Sequence, residues 1–111
     1  MIKPLIAGNW KMYKTPSEAE LFALELKKIS KQNDRDVLVC VPFPSLMVVS
    51  KVLKDSGIFV GAQNVYPAKE GAFTGEVSPF MIKDAGASFV ICGHSERRQI
   101  FKETDQFISE K

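Results

Sequence analysis

Histidine is almost missing from this sequence: His94 is the one imidazole in 111 residues. The two cysteines, Cys40 and Cys92, have a spacing that matches no zinc pattern, so a metal centre lacks its ligand set. Each cysteine lies inside an apolar run, "VLVCVPF" and "VICGH", which reads both as small buried strand residues rather than redox groups. Excess charge is scarce too: a net +2 is too little to imply nucleic acid or an anionic membrane surface as partner. No window reaches the roughly 18 to 20 apolar residues that span a bilayer. The apolar stretch in "MIKPLIAGNW" is too short for a secretion signal, and a cytoplasmic location is the expectation. The glycine-rich "GAFTG" lacks the Gly-x-x-x-x-Gly-Lys spacing of a P-loop. Nor does a Gly-x-Gly-x-x-Gly follow the first apolar run, which argues against a dinucleotide-binding domain. No cofactor and no metal is called for.

What is present is an ordinary globular balance, 45% hydrophobic and 25% charged, sized for one domain over residues 1–111. Four apolar, β-branched runs stand out, at 4–10, 36–44, 58–65 and 87–95. None alternates strictly, as befits strands covered on both faces of a parallel sheet. Helical patterns lie between them. In "TPSE", Thr15 caps, Pro16 suits the first helical position and Glu18 completes a capping box. Ala19, Phe22, Leu26 and Ile29 then recur at helical spacing, and "KKISKQN" places cations in the last turn. A second helix aligns Leu46, Val49 and Leu53 and stops near Gly57; a third, "SPFMIKDAG", ends at Gly86. The last, in "SERRQIFKETDQFISEK", breaks into two pieces with Thr104 as second cap. The order β-α-β-α-β-α-β-α predicts an α/β fold of about four parallel β/α units with right-handed crossovers.

Two features depart from this regularity. The connection "NVYPAKEGAFTGE" (64–76) has neither period, and irregular loops of that length tend to be functional. The final helix begins an apolar face with Phe101 and Ile108 and stops at Lys111 without a cap, so the chain reads as cut off. Sites in α/β proteins form at the carboxyl ends of the strands. Those ends carry Asn9 and Lys11, Gln63 and Asn64, and His94, Ser95 and Glu96. A lysine offers a fixed charge to an anionic substrate, while a neutral imidazole and a carboxamide can donate to an oxygen that becomes negative. The start of a helix after His94 favours the neutral ring, and Glu96 can hold Lys11. Each also has a structural reading: Ser95 and Glu96 open a helix, Asn64 serves a turn, Lys11 lies on the surface.

"AGNWKMYKT" (7–15), "GAQNVYPAKEGAFTGEVSP" (61–79) and "ASFVICGHSERR" (87–98) closely resemble the triosephosphate isomerase family. The resemblance implies the N-terminal half of a (β/α)₈ barrel, strands one to four, of a fold of about 250 residues. It implies interconversion of dihydroxyacetone phosphate and glyceraldehyde 3-phosphate through an enediolate, by a homodimer without cofactor or metal. His94 would be the electrophile, and Asn9 and Lys11 would bind the triose phosphate, Lys11 facing its charge. Ser95 and Glu96 would be supporting groups. Thr74 on the irregular loop would enter the neighbouring subunit, with Glu76 and Arg97 as ion-pair candidates at that interface. The family's glutamate base, lid and phosphate-gripping loops belong to the other half, so this chain alone is expected to be inactive. The alternative is a non-catalytic half-barrel that associates with partner chains through its open sheet. Lys102 stands where the family usually has glycine; if that position needs a positive φ, the lysine strains the bend.

Overall fold

A computed structural model describes residues 2–29 and 33–111. β1 (Leu5–Asn9), β2 (Asp36–Val41), β3 (Ile58–Ala62) and β4 (Phe89–Val90) form one sheet in the order β1-β2-β3-β4. All three pairings are parallel, with Asn9 opposite Cys40, Cys40 opposite Gly61, and Gly61 opposite Phe89. α1 (Pro16–Lys27), α2 (Phe43–Leu53) and α3 (Pro79–Asp84) connect the strands, and α4 (Ser95–Gln99) and α5 (Asp105–Glu110) follow β4 in succession. The arrangement is the N-terminal half of a (β/α)₈ barrel, each strand delivering its carboxyl end to the same rim.

The caps form as the sequence dictates. Thr15 Oγ1 accepts the Glu18 N–H at 3.3 Å, and the Thr15 N–H donates back to Glu18 Oε1 at 3.2 Å. Ser78 and Thr104 accept from Met81 and Phe107, starting α3 and α5. Gly86, at φ +106°, follows the end of α3 in the left-handed conformation that closes helices. Residues 30–32 of "KKISKQN" lie outside the described residues.

The core lies between the sheet and the helices. Val39 and Val41 of β2 and Val60 and Ala62 of β3 meet Leu46, Val49 and Leu53 of α2, with Ala19 and Ala23 of α1. The face of α1 follows the expected one at Ala19 and Leu26 but departs from it at Phe22 and Ile29. Two fully buried alanines bring α1 close to α2, whereas Phe22 is exposed and packs edge-on against Trp10, and Ile29 lies beyond the helix. The strands differ too. β2 and β3 are well covered, but β1 is largely exposed because it pairs on one side only. Cys40 is buried as expected; Cys92 is exposed, since β4 stops at Val90 and Cys92 falls in the turn beyond it.

The irregular connection is held shut by its own contacts. Tyr66 N–H donates to Val77 O, and Glu76 N–H donates to Phe73 O, both at 2.9 Å. Gly75 at φ +93° supplies the third position of that Phe73–Glu76 turn, and the Tyr66 and Phe73 rings lie 4.5 Å apart.

Candidate active site

Four strand ends meet at a cleft of about 370 Å³, lined by Asn9 and Lys11, by Gln63 and Asn64, and by His94 and Glu96. Pro42 after β2, with Met12, Phe43, Pro44, Arg97 and Phe101, completes its walls.

Lys11 reaches the cleft through an unusual backbone. Its φ is +54°, in the left-handed region, a conformation that costs an ordinary residue about 1 kcal/mol. The Asn9 side chain supports that turn, its Oδ1 accepting the Lys11 N–H at 2.9 Å. The Lys11 ammonium then lies 2.8 Å from Glu96 Oε1. Their hydrogen bond raises the Lys11 pKa, and seen from the other side it lowers that of Glu96 against a smaller opposing effect of burial. A half-exposed cation is thereby fixed at the first strand end, charged throughout the neutral range.

His94 is fixed from below. As N-cap of α4 it accepts the Glu96 N–H at its Nδ1, 3.1 Å away. A ring nitrogen that accepts a hydrogen bond carries no proton, so the neutral ring has its proton on Nε2. Glu96 Oε2 stands 3.6 Å from Nδ1, too far for a hydrogen bond. Glu96 thus organises both neighbours, by its backbone for the imidazole and by its carboxylate for the lysine.

The other residues singled out in the sequence have different places. Gln63 donates from Nε2 to Cys40 O at 2.9 Å, tying the ends of β2 and β3. Ser95 opens α4 and is exposed. Thr74 and Glu76 are exposed on the 64–76 connection, outside the cleft lining. Arg97 lines the cleft and binds Glu103 in the same chain, Nε to Oε2 at 2.9 Å and Nη2 to Oε2 at 2.8 Å.

Sequence reasoning missed Glu103 and Lys111. The Glu103 side chain is 4% exposed and that of Lys111 1%, and the two meet at 2.7 Å. Burial works to raise the Glu103 pKa, but hydrogen bonds from Lys111 and Arg97 prevail and hold it below the usual value. Lys111 also donates to Asn64 Oδ1 at 2.7 Å, across 47 positions of sequence. No local pattern signals a contact of that span; the one available cue was three further charges, Glu96, Lys102 and Glu103, beside Arg97 and Arg98 in "SERRQIFKE".

The sequence model of triosephosphate isomerase matches residues 4–111. The chain is 56% identical to the triosephosphate isomerase of Carboxydothermus hydrogenoformans, covering all of this chain and 45% of that protein. It is 52% identical to that of Dictyoglomus turgidum, again over the whole chain and 45% of the relative. The corresponding protein of Syntrophotalea carbinolica is 54% identical, with 44% of its length covered. The chain therefore spans a little under half the length of these curated relatives. By sequence, and by four parallel β/α units that bring these residues to one rim, the chain belongs to the triosephosphate isomerase family.

Proposed function

We propose that this chain supplies the electrophilic half of a triosephosphate isomerase, a partial-barrel domain over residues 1–111. The complete barrel interconverts dihydroxyacetone phosphate and D-glyceraldehyde 3-phosphate. The observation that carries this reading is His94: with Nδ1 accepting the Glu96 N–H, Nε2–H is left as donor in a cleft that also holds Lys11.

The chemistry follows from those positions. A base removes a proton from the carbon beside the substrate carbonyl, and negative charge moves onto the carbonyl oxygen. Nε2–H of His94 donates to that oxygen and, in the enediolate, passes its proton between the two oxygens. Lys11 faces the charge of the triose phosphate, and Asn9 binds substrate while holding the Lys11 turn. Among the described residues Glu96 is the carboxylate that lines this cleft, and its lowered pKa makes it a poor proton acceptor. The family resemblance assigns the base, the lid and the phosphate grip to the rest of the barrel. Ser95 is a supporting group. Thr74, Glu76 and Arg97 belong to the dimer interface of the complete protein, which is expected in the cytoplasm and to need no cofactor.

The test is turnover of glyceraldehyde 3-phosphate. In the full-length protein His94→Gln should lower kcat roughly 10²- to 10³-fold, the order for one transition-state donor. The 111-residue chain alone should give no turnover; turnover from it that His94→Gln abolishes would defeat the division of labour proposed here. A second reading, a half-barrel that associates with partner chains, is favoured by the exposed apolar residues Leu5, Phe59 and Phe89. A monomeric sedimentation boundary with cooperative unfolding for the isolated chain counts against it.

A further inference from the structure

We propose that Lys111 is a positioning residue for the cleft: its ammonium fastens Asn64 on one wall and, through Glu103, Arg97 on the other. This rests on the isomerase reading for its catalytic consequence, but not for its geometry.

Lysines are seldom buried, and the side chain of this one is 1% exposed. Its Nζ lies 2.7 Å from Asn64 Oδ1, 2.7 Å from Glu103 Oε2 and 4.7 Å from the centre of the Phe107 ring. An ammonium has protons to donate and no acceptor, so it takes the oxygen of the Asn64 amide and never its nitrogen. The amide is thereby oriented, and its two N–H donors are left for other partners in a residue that lines the cleft. Glu103 Oε2 receives Arg97 as well, and the Arg97 guanidinium is further held 4.3 Å from the Phe101 ring centre. The relay Asn64–Lys111–Glu103–Arg97 runs from the loop after β3 to α4, the helix that His94 caps. With the side chain 1% exposed, removing the ammonium frees the amide to rotate and leaves Glu103 with Arg97 alone.

Positioning and bulk stability separate experimentally. In the full-length protein, Lys111→Met keeps the length of the side chain and removes its donors. The expected result is a kcat lower by roughly tenfold to a hundredfold, the scale of a misplaced cleft wall, with KM changed far less. Lys111→Arg, which restores donors, should recover most of that loss. Side-chain NMR reads the geometry directly. In the wild type the Asn64 amide protons and the Arg97 Nε–H should be shifted and slow to exchange, and Lys111→Met should return them to solvent-like values.

Should Lys111→Met fail to fold, Lys111→Met combined with Glu103→Gln removes both charges and carries the same measurements. Wild-type Asn64 and Arg97 signals at solvent-like values overturn the proposal without any variant. So does a folded Lys111→Met, alone or in the double variant, with wild-type kcat and unchanged Asn64 signals. A wild-type protein without isomerase turnover would instead defeat the functional reading, while the NMR arm still decides whether Lys111 positions the cleft.

Discussion

The two faces of the sheet carry similar residues with unequal cover. Toward the helices, Val39, Val41, Val60 and Ala62 of the central strands are closed off by α1 and α2, while Ile6 of β1 and Val90 of β4 on the same face stay 55% and 40% exposed. On the other face, Leu5, Phe59 and Phe89 keep between 37% and 48% of their surface in water. The middle of that face, Leu38 and Cys40 on β2, is nonetheless buried between its neighbours. The bare residues therefore lie on β1, β3 and β4 around that middle, as in a barrel seen over part of its circumference. Gly61 shows how closely this inner face is fitted: a Cβ there would stand 2.9 Å from Cys40 Sγ and 3.2 Å from Phe89 Cβ. The cleft sits at the carboxyl-end rim of the bare face.

Truncating leucines gives the largest expected separation between the faces. Leu46, 3% exposed, packs in the helix-side core, and Leu46→Ala should cost about 3 kcal/mol in urea unfolding of the 111-residue chain. Leu5, 48% exposed on the inner face, should cost less than about 1 kcal/mol on the same change. Equal losses in the isolated chain would break the comparison and mean that the inner face is covered by self-association. Equal losses in the full-length protein alone would sharpen it, marking the inner face as closed there.

The ion pairs repeat the contrast. Glu103 is enclosed with two cations, whereas Glu96 and Lys11 meet half in water. Glu103→Gln leaves Lys111 and Arg97 without their anion and should cost roughly 3 kcal/mol, the order for breaking a buried pair. Glu96→Gln should leave the unfolding midpoint nearly unchanged and act on turnover instead. In both carboxyls the folded pKa is lowered below its ordinary 4.5. Their contribution is then complete above about pH 4.5 and is lost as pH falls through the lower folded value. Acid unfolding followed by circular dichroism should thus steepen below pH 4.5, and the Glu103→Gln variant should lose part of that steepness. A variant as acid-sensitive as the wild type would place the titrating group elsewhere.

What was legible in the sequence was local. Thr15, Pro16 and Glu18 announce α1 because a capping box is a short-range arrangement, and Thr104 announces α5 for the same reason. Asn9, Lys11, His94 and Glu96 could be grouped because parallel strands deliver their carboxyl ends to one rim. Properties decided by neighbours far along the chain were not legible. The face that α1 buries depends on how closely α2 approaches, and small alanines won over Phe22. Cys92 shares its apolar surroundings in sequence with Cys40, yet β4 ends before it and leaves it exposed. Lys111 and Asn64 could be joined only by the fold itself.

The backbone provides the smallest and most local version of the comparison. Lys11 and Lys102 both adopt left-handed φ, 54° and 59°. At Lys11 the strained turn places an ammonium in the cleft, with Asn9 Oδ1 bonded to its N–H. Lys102 is exposed in the bend between α4 and α5, outside the cleft lining, and its position is the one the resemblance assigns to glycine. Glycine adopts this conformation without a Cβ clash but gives up more freedom on folding, so the two effects partly cancel. Lys102→Gly should therefore raise stability by about 0.5–1 kcal/mol and leave turnover of the full-length protein unchanged. Lys11→Gly would relieve the same strain and remove the ammonium from the cleft, so it should abolish turnover of the full-length protein whatever it does to the unfolding midpoint. A destabilised Lys102→Gly would mean that the lysine side chain has a partner in the bend whose loss outweighs the strain.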